Sequence, residues 1–297
     1  MKALFKLITL AGFFGLGMTA CQKEFTIEER AEPPQAGTDS NYIDRYYYFE
    51  QTPAGLDTLW GYYFQYDSLK RVVAVYYNED FPTTTYTLEY KYYYNNTDTI
   101  PNKIEEFDGP TDLNPSVTYF NFDSQQRITS DSMRHFNNSG VLDILQVINY
   151  SYGSGKMYAH TRRTEHFPPG MPQHFIERDT AVLNLFGDIL NHQKYEEIAG
   201  VSILRGTSEF TYGNQAGPFA TSSVLKAHHL LPMGETFVED LMTHKNLLTQ
   251  LEKDENGNVS MDEIFSNYQY NSYGLVKEFR TLNTGFPVVV RFFYKAL

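Results

Sequence analysis

The sequence predicts an all-β protein, an extended curved antiparallel sheet of repeated β-hairpins over residues 42–297, with one short helix. Three observations lead there. The chain holds 24 tyrosines and 22 phenylalanines against one tryptophan, and such an aromatic excess favours strands over helices. Apolar and polar residues alternate with a period of two along several segments, the pattern of a half-buried strand. A short aromatic pattern also returns about every 27 to 33 residues, which marks a repeated supersecondary unit.

The chain begins differently. Lys2 and Lys6 precede and interrupt an apolar run from Ala3 to Leu16, and Met18-Thr19-Ala20-Cys21 follows. Residues 1–20 therefore read as a signal peptide, too short to span a bilayer. The tetrapeptide resembles a lipobox, which implies that Cys21, the only cysteine, is lipidated and ties the mature chain to a membrane. Gln22-Lys23-Glu24 resembles the export signal that sends lipoproteins of Bacteroidota to the outer face of the outer membrane. From Cys21 to Asn41 the chain is polar and rich in Pro, Gly and Glu. That composition makes a tether with a reach of about 25 Å.

The repeats come next. Tyr62-Tyr63-Phe64-Gln65-Tyr66-Asp67 runs on to Arg71-Val72, and the same order returns at Phe120-Asn121-Phe122-Asp123 to Arg127-Ile128. Looser copies lie at Tyr92 to Asn95, Tyr150 to Gly153, Phe210 to Gly213, Tyr268 to Asn271, and in reduced form at Leu183-Asn184-Leu185. Asp, Asn or Gly after the last aromatic residue permits the tight reversal of a hairpin. The step from Tyr212 to Tyr270 is about twice the usual one, so a disguised unit is expected between them. Within the units, Tyr86, Leu88, Tyr90, Tyr92 and Tyr94 alternate with Thr87, Glu89 and Lys91; Phe286, Val288, Val290, Phe292 and Tyr294 alternate likewise near the C-terminus.

These copies resemble tyrosine-aspartate (YD, Rhs-like) repeats, and more closely those of repeat lipoproteins of Bacteroidota. The resemblance implies an extended, curved antiparallel sheet. The chain lacks the long array and the regular Gly before Arg of Rhs shells, so enclosure of a toxin is not implied. The rhythm breaks at Val224 to Lys245, where Phe237, Val238, Leu241 and Met242 have helical spacing, and a short helix is expected there as a lid.

Charge bounds the function. The formal charge is −12, and removal of Lys2 and Lys6 takes it to −14, which argues against nucleic acid as a partner. The acidity instead keeps a surface protein soluble and repelled from anionic lipid. Glu252, Asp254, Asn256, Asn258 and Glu263 follow EF-hand spacing, an alternative calcium site. Glu252 stands where that loop wants Asp, and Asn256-Gly257 also reads as a hairpin turn, the preferred reading because the repeat already calls for one. His160, His166 and His174 with Glu165 and Glu177 lack close chelating spacing, and His228-His229 diverge. Gly153-Ser154-Gly155 reads as a turn, not as a nucleophile elbow. Adjacent acids such as Glu105-Glu106, Glu196-Glu197 and Asp262-Glu263 diverge on a strand and read as a solvated face.

The sequence thus points to a lipid-anchored outer-membrane protein with a binding or structural role and no catalysis. Its expected partner is a glycan or an envelope protein, with Trp60, Tyr62 and Tyr63 as a candidate stacking platform. A carboxylate-dependent hydrolase acting on polysaccharide is the alternative, and its signature would be two carboxylates facing each other in a cavity.

Overall fold

Six strands lead into an Asp or Asn that closes the reversal in the same way. Asp67, Asp123, Asn137, Asn184, Asp254 and Asn271 each accept at Oδ1 the backbone N–H groups two and four residues on, at 2.8–3.1 Å. The third residue after each lies at φ 61° to 94° (Lys70, Gln126, Gly140, Gly187, Gly257, Gly274). This is a three-residue hairpin loop with an Asx cap. Each new strand then bulges at its second residue: Val73, Thr129, Asp143, Leu190, Ser260 and Lys277. A bulge bends its strand and increases its twist, and repeated bends of one sense curl a sheet toward closure.

The computed structural model describes residues 42–297 except 54, 79–84, 110, 167–170, 221–242 and 284–285. Its strands are β1 (Tyr42–Thr52), β2 (Gly55–Tyr66), β3 (Val72–Asn78), β4 (Thr87–Tyr93), β5 (Lys103–Glu106), β6 (Ser116–Phe122), β7 (Ile128–Phe136) and β8 (Leu142–Gly153). They continue as β9 (Lys156–Glu165), β10 (Gln173–Leu183), β11 (Ile189–Ile198), β12 (Val201–Ala216), β13 (Lys245–Asp254), β14 (Val259–Tyr270), β15 (Val276–Asn283) and β16 (Phe286–Lys295). Each pairs antiparallel with its sequence neighbours, and β16 pairs with β1, from Tyr42↔Lys295 to Glu50↔Val288.

The expectation of all-β structure holds, and the expected open, extended sheet is corrected to a closed sixteen-strand barrel. Closure leaves no free strand edge. Each sequence repeat is one hairpin, and every repeat turn lies at the same end, where β2 passes into β3, β4 into β5 and so on. We call this the turn end. Among the described residues β14 follows β12 with only β13 between, so none of them forms the disguised unit expected there. The helix expected at 224–245 falls almost wholly outside the described residues, and its last residue, Lys245, begins β13. The signal peptide, Cys21 and the tether also lie outside them.

Sixteen strands enclose more space than small side chains fill, which explains the need for rings. At the turn end every strand contributes an inward apolar or aromatic residue, among them Ile43, Tyr66, Phe122, Tyr152, Leu183 and Tyr294. Phe219, fully buried in the β12–β13 connection, inserts among Tyr46, Phe64 and Phe292 at 5.8–6.1 Å between centroids. Tyrosine has a second use there. The hydroxyls of Tyr66, Tyr94, Tyr152, Tyr212, Tyr268 and Tyr294 donate to the carbonyls of Ile43, Val72, Ile128, Ile189, Leu247 and Val276 at 2.6–2.9 Å. Each acceptor stands immediately before a bulge in its strand, so the ring supplies a bond where the ladder is disrupted.

The outer face is of another kind. One row of directly paired outward residues reads Lys91, Glu105, Val117, Arg134, Leu145, Thr164, and the adjacent row reads Lys103, Tyr119, Ser132, Val147, Arg162, Ile176. Ion pairs cross it at Arg178–Glu197 (2.7 Å), Arg291–Glu278 (2.6 Å) and Lys253–Glu209 (3.4 Å). Around β1 the outward rings are covered: Arg291 lies 5.3 Å from the Phe49 ring and Arg45 5.3 Å from that of Phe293. Tyr47 fills the place of a side chain at Gly61, where a Cβ would run into the Tyr47 ring.

Candidate functional site

Away from the turn end, several of the strands from β4 to β14 place ionisable groups on the inner wall. Glu106 on β5 pairs across from Tyr90, whose hydroxyl donates to it at 3.3 Å. Glu89 occupies a bulge in β4, because Val75 faces Tyr90 and Tyr76 faces Leu88. That bulge reverses the expected alternation: Tyr90 and Tyr92 point inward, whereas Leu88 faces outward with Tyr76. Burial and then the neighbouring Glu106 raise the Glu89 carboxyl to about 7. Burial also raises Glu106, against the opposing bond from Tyr90. Ser116 Oγ lies 2.7 Å from His135 Nδ1 on the same inner wall.

Further round, the inner wall holds Glu177–Lys194 (3.5 Å) and Glu196–Arg205 (2.6 Å), and Arg205 also reaches Glu255 (2.9 Å). Between this polar half and the aromatic ring lies a buried polar layer. Asp131 accepts from Tyr150 at 2.7 Å, yet burial holds its carboxyl up at about 6. Asp179 lies 3.2 Å from His192. Glu263 bonds Thr281, and its carboxyl too is raised by burial. Sequence reasoning missed Asp131, Asp179 and His192 because a strand pattern does not say that the face opposite the solvent is a lumen.

The expected site residues scatter. Trp60 and Tyr62 face inward, against Tyr48 and Tyr46 at 5.1 and 5.0 Å, and Tyr62 is buried in the core. Tyr63 faces outward beside Tyr76, Tyr86 and Lys295. Strand alternation divides the three, so they form no common platform. Glu105, Glu197 and Asp262 face outward while Glu106, Glu196 and Glu263 face inward. The adjacent acids therefore diverge as expected, but one of each pair is enclosed instead of lying on a solvated face.

The calcium-like segment folds as the hairpin. Asp254 Oδ1 accepts the N–H groups of Asn256 and Asn258, and its Oδ2 accepts Asn258 Nδ2 at 2.9 Å. Those bonds hold its carboxyl below the usual range and use the lone pairs a cation would need. Glu252 accepts Gln250 Nε2 at 3.0 Å, and Glu263 lies within the wall. His174 bonds Thr164 on the outer face, whereas Glu165 and Glu177 point inward. Ser154 and Gly155 form a tight turn at φ 52° and 72°. No cluster of three or more His, Cys, Asp or Glu among the described residues is placed to hold a metal.

A pocket of about 380 Å³ opens at the turn end between the β6–β7, β8–β9 and β10–β11 turns. Ile128, Tyr152 and Leu183 of the aromatic ring form its floor, and Arg127, Lys156 and Phe186 stand at its rim.

No family model and no curated protein matches this chain. Its fold is similar to that of a porin-like protein from Bacteroides vulgatus ATCC 8482, with a TM-score of 0.51 at 9% identity over 87% of this chain and 100% of that one. A porin-like protein from Bacteroides uniformis ATCC 8492 aligns with a TM-score of 0.48 at 10% identity over 86% and 98% of the two chains. At such identity the first likeness is one of fold, a closed antiparallel barrel.

Proposed function

We propose that the chain is a non-catalytic binding barrel of the outer membrane, held there by lipid on Cys21 and standing in water on its tether at the cell surface. The observation that supports this is the polarity of the wall. A barrel that spans a bilayer turns an apolar band outward, and an Arg or Lys facing lipid at mid-depth costs about 2–4 kcal/mol. Here the outward rows hold Lys91, Arg134 and Arg162, and outward rings around β1 lie against the arginines Arg291 and Arg45. Such a wall belongs in water, so membrane attachment falls to the N-terminus. The YD-like repeats supply the hairpins of that barrel, and the ligand, on this reading, is a glycan.

Detergent phase separation tests the attachment. The full chain is expected in the detergent phase and Cys21→Ser in the aqueous phase. A Cys21→Ser protein that still follows the detergent would mean that the wall itself is embedded.

One observation favours the alternative hydrolase: Glu89 and Glu106 share the inner wall, and a carboxyl near 7 beside a second carboxyl is an acid–base arrangement. Reducing-sugar release from polysaccharide, lost in Glu89→Gln, would replace the binding reading. Calcium has no comparable support.

A further inference from the structure

The repeats allow the chain to be compared with itself. Arg71 and Arg127 occupy the same position, four residues after the Asx of the turn. Each clamps that aspartate through Nε at 2.8 Å and lies over the ring of a tyrosine on the neighbouring hairpin, Tyr94 at 4.4 Å and Tyr152 at 4.6 Å. Their remaining nitrogens differ. Arg71 Nη1 donates to the carbonyl oxygens of Asn96 and Asp98, both at 2.8 Å, in the long β4–β5 connection. The connection beside Arg127 is only Ser154-Gly155. Nothing among the described residues accepts from Arg127 Nη1, and the side chain is 45% exposed where that of Arg71 is 13%.

The shortened turn is what opens the 380 Å³ pocket. Lys156, on the other side of that turn, is exposed and forms no ion pair among the described residues. No Asp or Glu is among the described residues that line the pocket, in a chain whose net charge is −12. Gln125 and Ser154 add neutral polar groups, and Phe186, 54% exposed, adds a ring. A guanidinium that meets oxygen acceptors in one repeat is thus left facing a cavity in another, next to a lysine and over an apolar floor.

We infer that this pocket binds an acidic saccharide unit, its carboxylate on Arg127 Nη1 and Lys156 and its apolar ring face against Phe186 and Leu183. Ligand oxygens take the place that the Asn96 and Asp98 carbonyls hold beside Arg71. Aromatic, amide and cationic groups together match a uronate better than a neutral sugar, which would bring no counter-charge to Lys156. The inference rests on the binding role proposed above and names its ligand class.

Titration calorimetry of the full chain carrying Cys21→Ser, with oligogalacturonate, a neutral galactose oligomer of the same length and laurate, tests it. Oligogalacturonate should bind and the neutral oligomer should not. Arg127→Gln and Lys156→Gln should each weaken binding about tenfold, the loss of one charge-assisted hydrogen bond at a partly exposed rim, while Arg71→Gln leaves affinity unchanged. Equal binding of the neutral oligomer, binding of laurate alone, or equal losses in Arg71→Gln and Arg127→Gln would overturn the assignment. Lys156→Gln lies outside the Asx turns and keeps the test valid if Arg127→Gln unfolds. The phase-separation result is independent of all these outcomes, so failure here and failure of the anchored reading are told apart.

Discussion

The two ends of the barrel lumen solve the same problem differently. At the turn end, sixteen strands converge on rings that stack and edge into one another, as Phe279 does with Tyr268 at 5.1 Å and Phe292 at 6.0 Å. At the far end, several of the strands from β4 to β14 line the same lumen with carboxylates and bases, paired as Glu196 is with Arg205. The difference teaches that the turn end is where folding stability is concentrated. Dry ring contacts gain dispersion and hydrophobic energy, whereas wet ion pairs barely exceed their desolvation.

The sharpest way to break this comparison is to make one truncation at each end. Phe279→Ala should cost about 3–5 kcal/mol, the range for emptying a buried phenylalanine site, and Glu196→Ala no more than about 1 kcal/mol. Urea denaturation of both variants measures this. Equal losses would mean that the polar half holds the barrel together as much as the rings do.

Acidity separates the two regions by sign. Asp131 and Glu89 are raised to about 6 and about 7 by burial, so the native state binds their protons more tightly than the unfolded chain does. Their contribution is complete below the unfolded carboxylate range near 4 and is lost as pH rises through 6 and 7, about 1.4 kcal/mol per pH unit for each group. The turn aspartates run the other way. The Arg127 N–H and guanidinium hold Asp123 low, so its contribution is present above about 4 and fades only in stronger acid. Stability measured by urea from pH 4.5 to 7.5 should therefore fall with pH, and Asp131→Asn should flatten the lower half of that slope. A slope unchanged in Asp131→Asn would place the proton elsewhere.

A further variant isolates the tyrosine hydroxyl from its ring. Tyr294→Phe keeps the packing and leaves the Val276 carbonyl, at the β15 bulge, without its bond. It should cost about 1–2 kcal/mol, the loss for a buried acceptor left unpaired. A neutral Tyr294→Phe, seen as an unchanged thermal midpoint, would show that the ring alone matters.

Much of this was legible from residue order. Asp254 and Gly257 announce their hairpin because an Asx turn needs only groups within four residues of one another. The aromatic-x-aromatic ends of β2, β6 and β14 mark the hairpins for the same reason, and their period counts the hairpins at the turn end. Glu89 was misread because a bulge shifts the alternation by one residue, and the shift appears only when β3 is laid beside β4. Trp60 and Tyr63 looked like one platform until the wall acquired an inside and an outside. The net charge of −12 concealed a pocket lined by cations, since a total carries no positions.

Local chemistry therefore determined the hairpins and the alternation. Closure, the assignment of each face to lumen or solvent, and the meeting of Arg127 with Lys156 and Phe186 were decided only in three dimensions. The physical reason is range: a turn is complete within five residues, whereas β1 meets β16 across the whole length of the chain, through bonds that no single segment specifies.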